Sequence, residues 1–275
     1  MPATLASPDI DYLRDLVCQT IGNSISQQQS YLFEQRLAPL LQQHELKSIA
    51  DLVTRLKTRH NPTLRNQVVE AMTINETSFF RDMHPFAALR DHIFPQLAKT
   101  RATEKRVSIW CAASSSGQEP YSIAMTFAEH FPQRATWNLQ ITATDISDTM
   151  LEKCRSGNYT QFEVNRGLPT PLLVKYFDRH GTQWCVKPEI RRLIDFRKLN
   201  LFESFPYMAQ HDIVFIRNVL IYFAKERKLE ILKRVRRVLK PDVYLFLGGG
   251  ETLINLNTDF VREEVGGTVC YRPST

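Results

Sequence analysis

Cysteine is scarce here and its arrangement is uninformative. The five residues Cys18, Cys111, Cys154, Cys185 and Cys270 are odd in number and form no CxxC. The histidines offer no HExxH or paired-ligand spacing. A disulfide framework and a metal site are therefore not expected, and a reducing cytoplasm is the compartment that fits. A secretory leader is lacking, because "MPATLASPDIDYL" has neither a basic start nor a long apolar run. A membrane span is lacking too. The most apolar stretch, "DIVFIRNVLIYF", is broken by Arg217 and Asn218 and is too short to cross a bilayer. There are no internal repeats or low-complexity tracts. GxGxxG is absent, and so is a P-loop, since no lysine follows the glycine of "CAASSSGQEPYS".

What is present is enough apolar material for a sizeable core: 43% of 275 residues, sufficient for one large domain or two. The formal charge of +6 is carried by one segment, Lys225 to Lys240, which has eight basic and two acidic residues. Leu229, Leu232, Val235 and Leu239 recur there at helical spacing, so the segment is predicted as an amphipathic helix. Its basic face is either solvated or a dock for an acidic partner or nucleic acid.

The first seventy residues read as helices, as in "SYLFEQRLAPLLQQHEL" and "SIADLVTRLKTRH". From Arg106 the pattern changes to short apolar runs, "RVSIWCA", "NLQITATD", "HDIVFIRN" and "DVYLFLG", with helical patterns between several of them. That alternation predicts an α/β fold with a parallel sheet. "DFVREEV" and "GTVCYRP", around Gly266-Gly267, predict a closing antiparallel hairpin. Residues 156–192 read as a small β-rich insertion, and a further core strand is expected near Leu193 to Phe196.

An open parallel sheet binds ligands beyond the carboxyl ends of its strands. After the first strand, small residues allow close backbone approach and Glu119 opens the next helix. A carboxylate at that helix start argues against a phosphate there, since the helix end already attracts anions. The alternative is that Glu119 only caps the helix. After the second strand, Asp145 stands where nucleotide folds grip ribose hydroxyls, unless it too is a cap. Asn200 and Leu201 follow the extra strand. Arg217 and Asn218, inside an apolar run, are costly unless satisfied. Four strand ends that each offer a polar group point to a nucleoside ligand without a diphosphate, for example S-adenosylmethionine.

"NETSFFRD" (Asn75 to Asp82), "WCAASSSGQEPYSIAM", "TATDIS" and "IRNVLIYF", in this order, resemble the CheR-type chemoreceptor glutamate methyltransferases over nearly the whole chain. The resemblance implies a class I, Rossmann-like methyltransferase domain with a helical N-terminal domain and an inserted antiparallel β-subdomain. The expected division is 1–74 for the helical domain and 75–275 for the methyltransferase domain. It implies that S-adenosylmethionine is held by Asn75, Thr77, Arg81, Glu119, Asp145, Asn200, Leu201, Arg217 and Asn218, with S-adenosylhomocysteine as product. Arg81 and Tyr222 are implied to lie beside the transferred methyl group, as the catalytic pair. Phe79 and Phe80 are expected either to wall off water over the cofactor or to be plain core. The implied partners are the helical cytoplasmic domains of membrane chemoreceptors and a regulatory protein, with no nucleic acid and no membrane insertion. A monomer recruited to receptor arrays is expected. Arg36, Lys47, Arg55, Lys57 and Arg59 are candidates to meet an acidic receptor helix, the alternative being a solvated face.

The chain also departs from the family. Ser114 stands where members often have cysteine, and Gln118 where they have glutamate. The turn within "YFDRHGTQWCVK" is short, which argues against docking of a receptor's C-terminal pentapeptide. Two rivals remain open at this level, a nucleic-acid methyltransferase and a non-catalytic scaffold. The former lacks its usual Asn/Asp-Pro-Pro-aromatic motif, "RNVLIYF" standing in its place.

Overall fold

A computed structural model describes residues 8–22, 25–58, 61–131, 134–256 and 259–274. The chain divides into two compact units. The first comprises residues 1–74 with 222–228, and the second the remainder. Arg59, one of the basic candidates, lies outside the described residues.

Among the described residues, four α-helices lie wholly in the first unit: α1 (Pro8–Ile21), α2 (Tyr31–Gln43), α3 (Ile49–Thr58) and α4 (Pro62–Ala71). Each buries one stripe, including Leu13 and Val17, Phe33 and Leu37, Leu52 and Val53, and Leu64 and Val68. These stripes hold α1 against α3 and α4, and α2 against α3 and α4. α4 opens on Pro62, and the Asn61 side chain accepts the Leu64 N–H at 3.0 Å.

The second unit is built on seven strands: β1 (Arg106–Ala112), β2 (Asn138–Asp145), β6 (Ile194–Lys198), β7 (His211–Ile216), β8 (Leu239–Phe246), β9 (Phe260–Val265) and β10 (Thr268–Pro273). Their order in the sheet is β6-β2-β1-β7-β8-β10-β9. β6, β2, β1, β7 and β8 run parallel, and β10 lies antiparallel to both β8 and β9. This is the expected Rossmann-like sheet with its closing hairpin. The order reverses between β1 and β7, which opens a crevice beyond their carboxyl ends. β1 and β7 are buried along almost their whole length, as central parallel strands must be.

The helices of this unit are α5 (His84–Ala88), α6 (Phe94–Thr100), α7 (Gln118–His130), α8 (Asp148–Ser156), α9 (Gln161–Asn165), α10 (Thr170–Tyr176) and α11 (Pro188–Arg191). A π-helical turn, Leu89–Ile93, joins α5 to α6. α12 (Lys225–Arg237) begins in the first unit and ends in the second. It is shorter than the sequence implies: Leu239 and Lys240 belong to β8, where Leu239 pairs with His211. The inserted subdomain is a separate sheet of β3 (Asn158–Thr160), β4 (Phe177–His180) and β5 (Gln183–Val186), ordered β3-β5-β4. It contains α9, α10 and α11 as well, so it is less β-rich than its sequence reads. No helix among the described residues is long and apolar enough to cross a membrane.

Candidate active site

β1 ends in a loop that only small residues tolerate. Ala113, Ser115 and Gly117 all take left-handed backbone, with φ of 56°, 50° and 92°. A Cβ on Gly117 would come within 2.9 Å of the Cys154 sulfur, so glycine is required there. The loop is fastened on three sides. Tyr159 of β3 donates its hydroxyl to the Ser116 carbonyl at 2.7 Å, and the Ser114 N–H continues the ladder to the Thr144 carbonyl at 2.9 Å. On the third side, the Ser115 N–H donates to Asp145 Oδ2 at 2.7 Å.

Asp145 closes β2 and is buried. Its other oxygen, Oδ1, accepts the Ser147 N–H at 3.0 Å, and its carbonyl accepts the Leu199 N–H at 2.9 Å. Its carboxylate is thus anchored by two backbone donors. Asn75 joins the same cluster, because its carbonyl accepts Ser115 Oγ at 2.7 Å. Asn200 and Leu201 follow β6, beside β2. The Asn200 side chain folds into a local turn, accepting the Phe202 N–H and donating to Glu203, both at 3.0 Å.

A second cluster centres on Arg217, which is almost fully buried at the end of β7. Its Nη1 donates to Glu119 Oε2 at 2.9 Å. Its Nη2 donates to the Arg81 carbonyl at 3.0 Å and to Asp82 Oδ2 at 2.6 Å. Burial pushes the Glu119 carboxyl above the usual range, and the Arg217 guanidinium pulls it back. Glu119 therefore does not cap its own helix; it completes an ion pair reaching across the switch point. Through Nη1 and Nη2 the Arg217 side chain braces the crevice, and its buried Nε has no hydrogen-bond partner among the described residues. The neighbouring Asn218 takes left-handed backbone, with φ of 57°.

The segment Asn75 to Met83 is irregular and strained, with left-handed backbone at Phe80, Asp82 and Met83. Thr77 and Arg81 are half-buried. Arg81 Nη1 donates to the Glu76 carbonyl at 3.1 Å, so its guanidinium is folded back along its own segment. The two phenylalanines are core and not a cover. Phe79 is fully buried, edge-on to Tyr159 and Phe177 at 5.0 and 5.7 Å. Phe80 lies edge-on to Phe86 at 5.1 Å, and its N–H donates to Ser122 Oγ at 2.9 Å. The rings anchor the stretch so that its polar residues can stay at the surface of the crevice.

Tyr222 closes a 3-10 turn, Leu220–Tyr222, and falls with the helical unit. Two functional residues were not singled out from the sequence. Asp82, which ends the NETSFFRD stretch, holds Arg217. Glu251, after Gly248-Gly249-Gly250, accepts backbone N–H groups from the loop that follows β7. The glycine triplet was the one available signal for a close approach of backbones there.

Residues 75–267 match the family model described as "CheR methyltransferase, SAM binding domain", and residues 8–73 match the one described as "CheR methyltransferase, all-alpha domain". The chain is 41% identical over 272 residues to chemotaxis protein methyltransferase 1 of Pseudomonas aeruginosa, spanning 97% of this chain and 98% of that protein. It is 40% identical over 269 residues to chemotaxis protein methyltransferase Cher2 of Pseudomonas putida, spanning 96% and 97%. To chemotaxis protein methyltransferase 1 of Vibrio cholerae it is 40% identical over 265 residues, 95% of each chain.

Proposed function

The chain belongs to the CheR methyltransferase family, and we propose that it methylates glutamate side chains of chemoreceptors from S-adenosylmethionine, with the residues of the β1–β7 crevice performing the transfer. The observation that carries this reading is the pair of acidic side chains beyond the carboxyl ends of neighbouring strands, Glu119 in the first turn of α7 after β1 and Asp145 at the end of β2. The donor set fits a ligand with ribose hydroxyls and a cationic sulfonium-amine end. Two carboxylates suit those groups and oppose a diphosphate. Asp145 would take the ribose. Asn75, Thr77, Glu119, Asn200, Leu201 and Asn218 would line the remainder, and Arg217 would act by holding Glu119 and the Arg81 segment in place. The working division is a helical domain over 1–74 and a methyltransferase domain over 75–275, with an insertion over 156–192.

S-adenosylmethionine supplies an electrophilic methyl group. The accepting glutamate is already ionised at neutral pH, so the protein need not provide a base. Its task is alignment and exclusion of water. Arg81 orients the incoming carboxylate by a charge-assisted bond. That bond must release as the carboxylate becomes a neutral ester, and the half-exposed position of Arg81 is compatible with release. Tyr222 contributes a weaker neutral hydrogen bond. The chain works as a cytoplasmic monomer at receptor arrays, under a regulatory protein partner. Arg36, Lys47, Arg55 and Lys57 on the helical unit meet the acidic receptor helix.

The test is incubation with labelled S-adenosylmethionine and receptor-containing membranes. Label that enters the receptor and is released by mild base supports a glutamate ester. Base-stable label, or none, overturns the reading in favour of another acceptor or a scaffold.

A further inference from the structure

Glu251 stands just past β8, and its carboxylate accepts four backbone N–H groups. Oε2 takes those of Asn218 at 2.6 Å and Gly248 at 2.8 Å. Oε1 takes those of Val219 at 3.1 Å and Ile221 at 3.2 Å. One oxygen therefore ties the loop after β7 to the loop after β8, and the other winds the β7 loop around the same point. Asn218 is caught between them. Its backbone is left-handed, and a Cβ on Gly248 would lie 2.6 Å from its Nδ2 and 2.8 Å from its backbone nitrogen.

We propose that Glu251 is a positioning residue for methyl transfer: its carboxylate holds the left-handed turn at Asn218 and so aims that amide into the crevice. This rests on the assignment of Asn218 to the cofactor. The chemistry requires a carboxylate. Each oxygen serves two donors, and an ionised carboxylate is acceptor-only. A glutamine in its place would turn an NH2 toward two N–H groups in either orientation, leaving both without an acceptor. Gly248 is the matching half of the device, since any side chain there would push against the Asn218 amide.

The experiment measures S-adenosylhomocysteine binding by calorimetry, KM and kcat with S-adenosylmethionine, and the melting temperature. Glu251→Gln is expected to weaken binding by about tenfold or more, as loss of bonds to a charged group does. KM should rise while Tm moves by only a few degrees. Gly248→Ala, acting from the opposite loop, should give the same defect. In the Glu251→Gln background, Asn218→Ala should cost little more, because both changes break one device. Unchanged affinity in folded Glu251→Gln overturns the proposal, and so do losses that multiply in the double variant. If Glu251→Gln does not fold, Gly248→Ala carries the test, and wild-type affinity there is equally fatal. A wild-type protein that binds no S-adenosylhomocysteine overturns the cofactor reading itself. Wild-type affinity in Asn218→Ala alone removes only the Asn218 assignment on which the proposal stands.

Discussion

The two ends of the parallel sheet hold their charged side chains by different mixtures of partners. At the amino ends, Arg101 donates Nε to Asp212 at 2.8 Å and its two Nη groups to Asp242 at 2.9 and 2.6 Å. Asp212 also takes Lys240 Nζ at 2.8 Å and the Ser108 N–H at 2.9 Å. It sits where the β7–β8 register shifts, between His211 and Ile213, which frees it to reach all three. Here each carboxylate is met by cations, and the network closes on itself. At the carboxyl ends, Asp145 and Glu251 each accept backbone N–H groups, and Arg217 is shared among Glu119, Asp82 and the Arg81 carbonyl. Left-handed non-glycine residues gather at this end, at positions 80, 82, 83, 113, 115 and 218. The lesson is that the amino end is organised for stability. The carboxyl end accepts strain and leaves acceptors oriented, as a site that must receive something does.

The sharpest way to break that contrast is Arg81→Ala. Turnover should fall roughly 10²–10³-fold, as loss of one preorganised electrostatic contact does, with the circular dichroism spectrum unchanged. Arg81→Lys should rescue only partly, since an ammonium lacks the planar fork. Near wild-type single-turnover rates in folded Arg81→Ala would remove its role. Arg101→Met should do the reverse. It leaves Asp212 buried with reduced compensation and should cost about 3 kcal/mol of stability. The affinity of the folded fraction for S-adenosylhomocysteine should not change. Denaturant titration and calorimetry on the same sample separate the two quantities.

Asp145→Ala should weaken cofactor binding by about 1.5–3 kcal/mol, the range for bonds to a charged group; an unchanged titration would take Asp145 out of the ribose site. A pH effect belongs to the amino end. Burial holds His211 down to about 4, although Asp212 beside it opposes the shift. Its Nδ1 pairs with Ser108 Oγ at 2.8 Å, and its Nε2 has no hydrogen-bond partner among the described residues. The folded value lies below the unfolded one, so the unfolded chain takes up the proton first as pH falls. The contribution is complete above about pH 6.5 and is lost on acidifying toward pH 4. At pH 4.5 the wild type should have lost about 2 kcal/mol more than His211→Gln, measured by urea midpoints at both pH values. A parallel decline of the two proteins would contradict it. The smallest expected effect is none at all. The hairpin of β4 and β5 turns through only Gly181 and Thr182, so a free receptor-type C-terminal pentapeptide should show no measurable binding. A micromolar dissociation constant would show that a two-residue turn suffices.

Much of this was decided by the sequence alone. Strand runs and the helix between β1 and β2 are written in local periodicity, and polar residues that interrupt apolar runs mark strand ends, so Glu119, Asp145, Asn200, Arg217 and Asn218 were legible as a set. The β9–β10 hairpin was legible from its paired glycines. What only the tertiary structure decided is how those groups are spent. Arg217 serves as a brace because Asp82 and Glu119, 135 and 98 positions away, reach it. Phe79 is core because Tyr159 and Phe177 of the insertion meet it. α12 stops at Arg237 because Leu239 is claimed by its pairing with His211, although its helical spacing continues. Glu251 carries no motif because its partners are backbone N–H groups, which every residue but proline possesses; only the approach of two loops selects which carboxylate they bind.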